Sequence, residues 1–170
     1  DFVELEKALK NKGIKFIEDY DLVGELWEDR PALPKSKAFV LDVKYAGKTA
    51  KEKVEEVRKE MDKKGVDYFL LASLDDIAWL YNIRGNDVAC NPVIMSYALI
   101  SKERAWLFVD KSKIDYVVSA HLKENGIEIE DYEKVIDYVK DIEKGSKVFL
   151  DSSMINRWLY KSIPEGCEIV

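Results

Sequence analysis

The chain has 170 residues, of which 47% are hydrophobic and 35% charged. This composition provides for one hydrophobic core and excludes a disordered polymer. The formal net charge of −6 argues against nucleic acid as a partner, because phosphate binding requires a concentrated basic surface. The two distant cysteines, Cys90 and Cys167, favour a reducing cytoplasm over a disulfide framework. No membrane-spanning stretch or signal peptide is recognisable, and the absence of an initial methionine is what we expect of an excised segment.

The first part of the chain has helical spacing of its apolar residues and ends in a proline-rich stretch. Each proline removes a backbone donor and restrains the residue before it, so we place a linker at about Arg30 to Ser36. The elements predicted before it are a helix over Phe2–Lys12 stopped by Gly13, a short strand over Ile14–Ile17 and a short helix from Leu22 to Trp27.

The remaining residues alternate between helical stripes and apolar runs, which predicts an α/β domain with a mixed β-sheet and helices on both faces. A pair of β-rich runs separated by two residues predicts one hairpin. In chain order, the predicted elements are a helix over Thr49–Lys64, a buried strand over Asp67–Ala72, a helix capped by Ser73, a hairpin of Pro92–Ser101 and Arg104–Asp110, helices ending at Gly126 and Gly145, a strand over Lys147–Leu150, a helix capped by Ser152 or Ser153, and a strand from Cys167.

Residue patterns that carry chemistry are missing from the sequence. His121 is the single histidine, and its place near a helix end indicates a structural role rather than a metal ligand. There is no glycine-rich phosphate loop and no GxSxG elbow. The sequence therefore predicts no catalytic, cofactor-binding or metal-binding residue in this chain.

One stretch, from Asp75 to Pro92, joins a short helix to a polar loop and then to a strand. We expect Gly85 to supply a left-handed turn, and Asp87 and Asn91 to accept backbone hydrogens. The planar guanidinium of Arg84 suits bidentate pairing with Asp75, Asp76 or Asp87. Scaffolding is the favoured interpretation of this loop. The alternative is that Arg84, Asp87 and Asn91 face a partner domain or a substrate, as loops on rigid scaffolds do.

The run LDDIAWLYNIRGNDVACNPVIMSYALI, residues 74–100, resembles the second domain of three-domain Xaa-Pro aminopeptidases. The segment Asp21–Pro34 is similar to the part that closes the first domain of those enzymes, and Tyr45–Thr49 is similar to the start of the second. The resemblance thus implies that residues 1–36 are the tail of a preceding domain plus linker. Residues 37–170 are then a second creatinase/prolidase-like N-terminal domain.

The resemblance also implies how the parent protein works. Such enzymes remove an N-terminal residue when proline is second, using two metal ions, typically manganese, in a C-terminal catalytic domain. Two aspartates, one histidine and two glutamates hold those ions, and none of these ligands transfers onto this sequence. The implied partners are the parent's own catalytic domain, X-Pro peptides as its substrates, and further copies in a homo-oligomer. The loop from Arg84 to Asn91 becomes the candidate surface facing the catalytic domain.

Two other interpretations remain open at the level of sequence. A metal-free pseudo-peptidase would use the same architecture as a binding module for a protein partner. Creatinase or prolidase relatives usually have one N-terminal domain, whereas the segment Asp21–Pro34 before a second domain favours the three-domain enzyme.

Overall fold

The computed structural model describes residues 2–15, 17 and 20–170, which form two compact units, Asp1–Pro34 and Lys35–Val170. In the first unit, helices α1 (Phe2–Asn11) and α2 (Leu22–Leu26) confirm the two predicted helices. The predicted strand over Ile14–Ile17 is not formed by its described residues, and Phe16 lies outside them.

The second unit contains eight strands among its described residues: β1 (Phe39–Val40), β2 (Tyr68–Leu71), β3 (Ile83–Arg84), β4 (Ser96–Ser101), β5 (Ala105–Val109), β6 (Ile127–Asp131), β7 (Lys147–Phe149) and β8 (Glu168–Ile169). Six of them form one sheet with the spatial order β6–β5–β4–β2–β7–β8. The pairs β2–β4 and β4–β5 are antiparallel, whereas β5–β6, β2–β7 and β7–β8 are parallel. The prediction of a mixed sheet is therefore confirmed.

Helices cover both faces of this sheet, as predicted. The helices of this unit are α3 (Val43–Ala46), α4 (Ala50–Lys64), α5 (Leu74–Tyr81), α6 (Tyr116–Glu124), α7 (Val135–Lys140) and α8 (Arg157–Ser162). On one face, buried residues of α4, α5 and α6 form a core with β2, β4 and β5. On the other face, residues of α7 and α8 pack on the opposite sides of the same strands.

Local sequence signals account for the boundaries of α4 and α5. Thr49 and Glu52 form a reciprocal capping box at the start of α4, and Gly65 ends that helix with a φ of 65°, a left-handed conformation that glycine adopts without steric cost. The Ser73 hydroxyl accepts from the Asp76 amide at the start of α5. Both predicted N-termini are confirmed.

Other predictions differ from the structure. The hairpin forms, but its first strand begins at Ser96 and not at Pro92, because the residues between them bond to the preceding loop. Asn156, rather than Ser152 or Ser153, caps the last helix by accepting from the Leu159 amide. The edge strand β6 and the small β1–β3 pair were not predicted from the sequence. Among the described residues, no helix has the length and apolar character needed to cross a bilayer.

Candidate domain-interface loop

The candidate loop follows α5 and the short strand β3, whose last residue is Arg84, and leads to β4. Asn82 ends the helix in a left-handed conformation, with a φ of 53°. Its backbone carbonyl accepts from the Leu41 amide at 2.8 Å, and its side-chain amide donates to the Lys48 carbonyl at 2.8 Å. Asparagine is one of the few non-glycine residues that adopt this conformation readily. The loop therefore starts from a fixed backbone position.

The guanidinium of Arg84 donates its hydrogen bonds to backbone carbonyls of the same domain. Its Nη1 donates to the carbonyl oxygens of Ala78 and Ile83, and Arg84 makes no ion pair among the residues that the structure describes. The sequence-based expectation of an Arg84–aspartate pair is therefore wrong. The Ala78 carbonyl also accepts from the Asn82 amide, so Arg84 is its second donor. A cation at the last turn of α5 interacts favourably with the helix dipole, which explains why the guanidinium points to the helix rather than to Asp75, Asp76 or Asp87.

Asp87 is the centre of a buried hydrogen-bond cluster. Its carboxylate accepts from the Lys113 ammonium, from the Ser36 hydroxyl at 2.5 Å and from the Met95 amide at 2.7 Å. The side chains of Asp87 and Lys113 are 0% and 3% exposed. Burial alone would raise the pKa of Asp87, but its bonds from Lys113, Ser36 and Met95 outweigh burial and lower that pKa. The expectation that Asp87 accepts a backbone hydrogen is confirmed.

The tip of the loop is a tight turn that projects outward. The Asn91 amide donates to the Val88 carbonyl at 3.2 Å, and Cys90 has a φ of 62°. Val88, Ala89 and Cys90 are exposed, whereas the Asn91 side chain donates to the Asp75 carboxylate at 3.1 Å. These bonds of Asn91 hold the tip in a defined shape, in which Cys90 adopts a positive φ that is uncommon for a non-glycine residue.

Gly85 is needed for close packing rather than for a left-handed turn. Its φ lies outside the left-handed region, and a Cβ built at this position would be 2.2 Å from Ile94 Cγ2. The prediction of a left-handed Gly85 is therefore wrong. The positive φ angles in this stretch belong to Asn82 and Cys90, because asparagine ends α5 and the tip turn places its third residue there.

A second buried cation lies beside the start of the loop and was missed by sequence reasoning. Lys53 of α4 is 2% exposed. Its Nζ donates to the Trp79 carbonyl and to Asn82 Oδ1, both at 2.8 Å, and lies 4.4 Å from the centre of the Trp79 ring. Burial lowers the pKa of Lys53, and the nearby cations Arg84 and Lys48 lower it further. The only signal in the sequence was a lysine at an inward position of α4.

The described residues offer no metal centre, since no three of their His, Cys, Asp or Glu side chains are grouped to hold an ion. His121 lies on α6, where its Nε2 is 2.9 Å from the Tyr81 carbonyl oxygen. It thus contacts the last turn of α5, as Lys53 and Arg84 do. This contact agrees with the structural role predicted for His121.

Residues 29–170 match the family model of the creatinase/prolidase N-terminal domain. The chain belongs to this family. The expected creatinase/prolidase-like fold is therefore confirmed, and the candidate loop lies within the matched residues.

Named relatives of this creatinase/prolidase-like domain are aminopeptidases. The chain is 46% identical over 132 residues to a probable Xaa-Pro aminopeptidase P of Sordaria macrospora, covering 77% of this chain and 21% of the relative. It is 38% identical over 159 residues to Xaa-Pro aminopeptidase 1 of Dictyostelium discoideum, covering 89% of this chain and 25% of the relative. The chain thus spans about a quarter or less of the length of these curated relatives.

A solved structure is similar over nearly the whole chain. It is the X-prolyl aminopeptidase of Caenorhabditis elegans, described as a cytosolic enzyme with a di-nuclear active site. The similarity has a TM-score of 0.88 at 30% identity and covers 96% of this chain and 28% of the worm enzyme. The resemblance recognised from residues 74–100 therefore extends to the three-dimensional structure.

Proposed function

We propose that this chain is a non-catalytic N-terminal domain of an Xaa-Pro aminopeptidase, a metallopeptidase that releases the N-terminal residue from peptides with proline in second position. The observation that carries the proposal is the similarity to the worm enzyme over 96% of this chain, at a TM-score of 0.88. The identity to the fungal and Dictyostelium aminopeptidases supports it independently. The same comparison supports a cytoplasmic location, because the worm enzyme is described as cytosolic.

We assign residues 1–36 to the end of a preceding domain with its linker, and residues 37–170 to a second domain. The division of the structure after Pro34 supports a boundary in this region, as does the start of the family match at residue 29. Ser36 to Ala38 are held by the second unit, since Ser36 bonds to Asp87 and the Ala38 amide donates to the Lys113 carbonyl.

The metal ions of the proposed enzyme belong to another part of the parent protein. The worm enzyme has a di-nuclear active site, and the described residues of this chain do not fit such a centre, since they contain no suitable group of ligands. The carboxylate of Asp75, at the start of α5, accepts from the Asn91 side chain instead. We therefore place two divalent ions, manganese by resemblance, in the catalytic domain of the parent.

The role of this domain in the parent is to shape and restrict access to the active site and to contribute oligomer contacts. Its candidate contact surface is the loop of Arg84, Asp87 and Asn91, with Val88–Cys90 as the part that reaches outward. The exposure of Val88 and Cys90 supports this division, because Arg84 and Asp87 use their polar atoms within the domain. Rigid exposed loops on a buried scaffold are common binding elements.

The full-length parent protein tests the activity. We expect it to cleave an X-Pro peptide in the presence of manganese and to lose that activity on chelation, since divalent metal ions would activate a water molecule in such sites. The isolated chain is the matched control and is expected to be inactive. A parent that lacks the five metal ligands and leaves the peptide uncut would refute the peptidase and favour a binding module.

The tip of the loop is tested by Val88→Asp, introduced into both the parent and the isolated chain. Val88 is exposed, so the melting temperature of the isolated chain should stay unchanged, whereas cleavage by the parent should fall several-fold if the tip contacts the catalytic domain. Lys59→Gln on the exposed side of α4 changes the net charge by the same amount and is the control for the altered charge. Equal activity of the two parent variants would remove the tip from the proposed interface.

A further inference from the structure

The helical cover of the sheet thins toward β7 on the face that carries α4, α5 and α6. Along one row of paired residues on this face, Ile100 of β4 is fully buried, whereas Phe69 of β2 and Phe149 of β7 are half-buried. On the opposite face, Val148 of β7 is buried against α7 and α8. The outer part of the sheet is therefore closed on one side and open on the other.

A groove of about 340 Å3 follows this open strip beside α4. Its base consists of apolar side chains, and its α4 side carries Glu56, Glu60 and Lys64. A second cavity of about 190 Å3 shares Phe69 and Phe149 with the groove and extends it to Met154, which is 54% exposed. The apolar residues of the groove are Val57, Met61, Val66, Phe69, Trp79 and Phe149.

Two features of this groove are typical of a surface that binds a polypeptide segment. The strands β2, β7 and β8 are mutually parallel, and parallel strands are characteristically buried on both faces. Trp79 is 52% exposed at the end of the groove, with its ring held over the buried Lys53 ammonium. A large aromatic ring fixed at the surface is typical of the anchors that dominate protein interfaces.

We propose that this groove binds an amphipathic helix from another part of the parent polypeptide. A helix lying beside α4 would extend the layer of α4, α5 and α6 over the open strip, with its apolar stripe on Phe69 and Phe149, in the helix-in-groove mode. The relatives that match this chain are about four to five times longer than the matched part, so such a parent has ample chain to supply the helix.

The glutamates on the α4 rim of the groove are paired within this domain. Glu56 and Glu60 lie one turn apart on α4, and Lys64 follows after one further turn. Glu56 binds Lys48 at 2.5 Å and Glu60 binds Lys63 at 2.6 Å. The bound helix would therefore be held by its apolar stripe, with polar residues facing this charged rim. This inference depends on the proposed function only in that the chain is one domain of a longer polypeptide, and it does not depend on peptidase activity.

Cysteine labelling in a Cys90→Ser/Cys167→Ser background tests the inference. Glu60→Cys places a thiol on the groove rim, and Lys59→Cys places one on the outer side of the same helix; both positions are exposed in this chain. We expect a maleimide to label both thiols at similar rates in the isolated chain. In the parent, labelling of Glu60→Cys should fall at least tenfold, while Lys59→Cys should be unaffected.

Each outcome decides the inference separately from the peptidase activity. Equal labelling of both thiols in the parent would overturn the inference, even if the parent cleaves X-Pro peptides. Protection of Glu60→Cys already in the isolated chain would also overturn it, because the chain itself or a second copy would then cover the groove. Selective protection in a parent that lacks activity would support the inference while the proposed enzyme function fails.

Discussion

Two lysines in this domain are each 2% exposed when the whole residue is counted, and their buried charges are compensated in different ways. Lys113 binds the buried carboxylate of Asp87. Lys53 has oxygen partners without a full charge, the Trp79 carbonyl and Asn82 Oδ1, together with the face of the Trp79 ring. Both arrangements place an ammonium group out of water, where an isolated charge is costly.

The difference lies in what compensates each charge. The Asp87–Lys113 pair joins two full charges from separate parts of the chain, so each residue leaves an uncompensated charge if the other is removed. The ammonium group of Lys53, a residue of α4, contacts the last turn of α5. The partial negative charge on the carbonyls at that helix end favours a cation. Arg84 and His121 contact carbonyls of the same helix end. A buried cation can therefore be held by the end of a helix without a carboxylate.

The largest expected effect follows from Asp87→Ala. The change leaves Lys113 buried without a counter-charge and should lower the free energy of unfolding by about 3–5 kcal/mol. Urea denaturation of the isolated chain measures this loss. The double variant Asp87→Ala/Lys113→Met should recover part of the loss, because neither charge then remains. A single variant that is as stable as the double variant would mean that the pair does not behave as a unit.

A smaller loss is expected for Lys53→Met. The Trp79 carbonyl and Asn82 Oδ1 lose their donor, but no buried charge is left behind, so the free energy of unfolding should fall by about 1–3 kcal/mol. Lys59→Met, on the exposed side of α4, is the matched control and should have little effect in the same urea titration. A loss equal to that of Asp87→Ala would abolish the distinction between the two lysines.

The dependence of stability on pH should separate the two lysine sites further. The pKa of Asp87 in the folded state is lowered below its ordinary value of 3.8, so its stabilisation is present above that value and is lost as the pH falls through the folded pKa. The pKa of Lys53 is lowered below 10.5. Above its folded pKa, the unfolded chain binds more protons at this site, so stability should rise with pH toward 10.5.

Urea midpoints measured across the acidic and alkaline ranges check both signs. Asp87→Asn should flatten the acidic limb relative to the unmodified chain, and Lys53→Met should flatten the rise on the alkaline side. Each variant serves as the control for the other limb. If Asp87→Asn left the acidic limb unchanged, other carboxylates would account for the acid sensitivity.

The smallest effect is expected for Asn91→Ala. The Asn91 side chain bonds to Asp75 near the surface, where water replaces a lost partner, so the loss in unfolding free energy should be below about 1 kcal/mol. Thermal unfolding of Asn91→Ala and Asp87→Ala, measured under the same conditions, compares the stability losses at two positions of one loop. A loss as large as that of Asp87→Ala would place the stabilising centre of the loop at its tip instead of at the buried carboxylate.

Elements whose signals are local could be predicted from the amino-acid sequence alone. The capping box of Thr49 and Glu52, the stop at Gly65 and the cap at Ser73 depend on residues within one or two turns, and these boundaries were predicted. The alternation of apolar runs and helical stripes also predicted helices on both faces of a mixed sheet. The sequence of residues 74–100 was sufficient to recognise the family.

The binding partners of the polar side chains in that run depend on tertiary packing. Arg84 contacts the end of α5 rather than an aspartate, and Asp87 binds Lys113 and Ser36, which are 26 and 51 residues away in the chain. Gly85 is required by Ile94 of the following segment. Such contacts depend on how distant elements pack, and no local propensity encodes them. The open groove beside α4 likewise exists only because β7 lies next to β2 in the folded sheet.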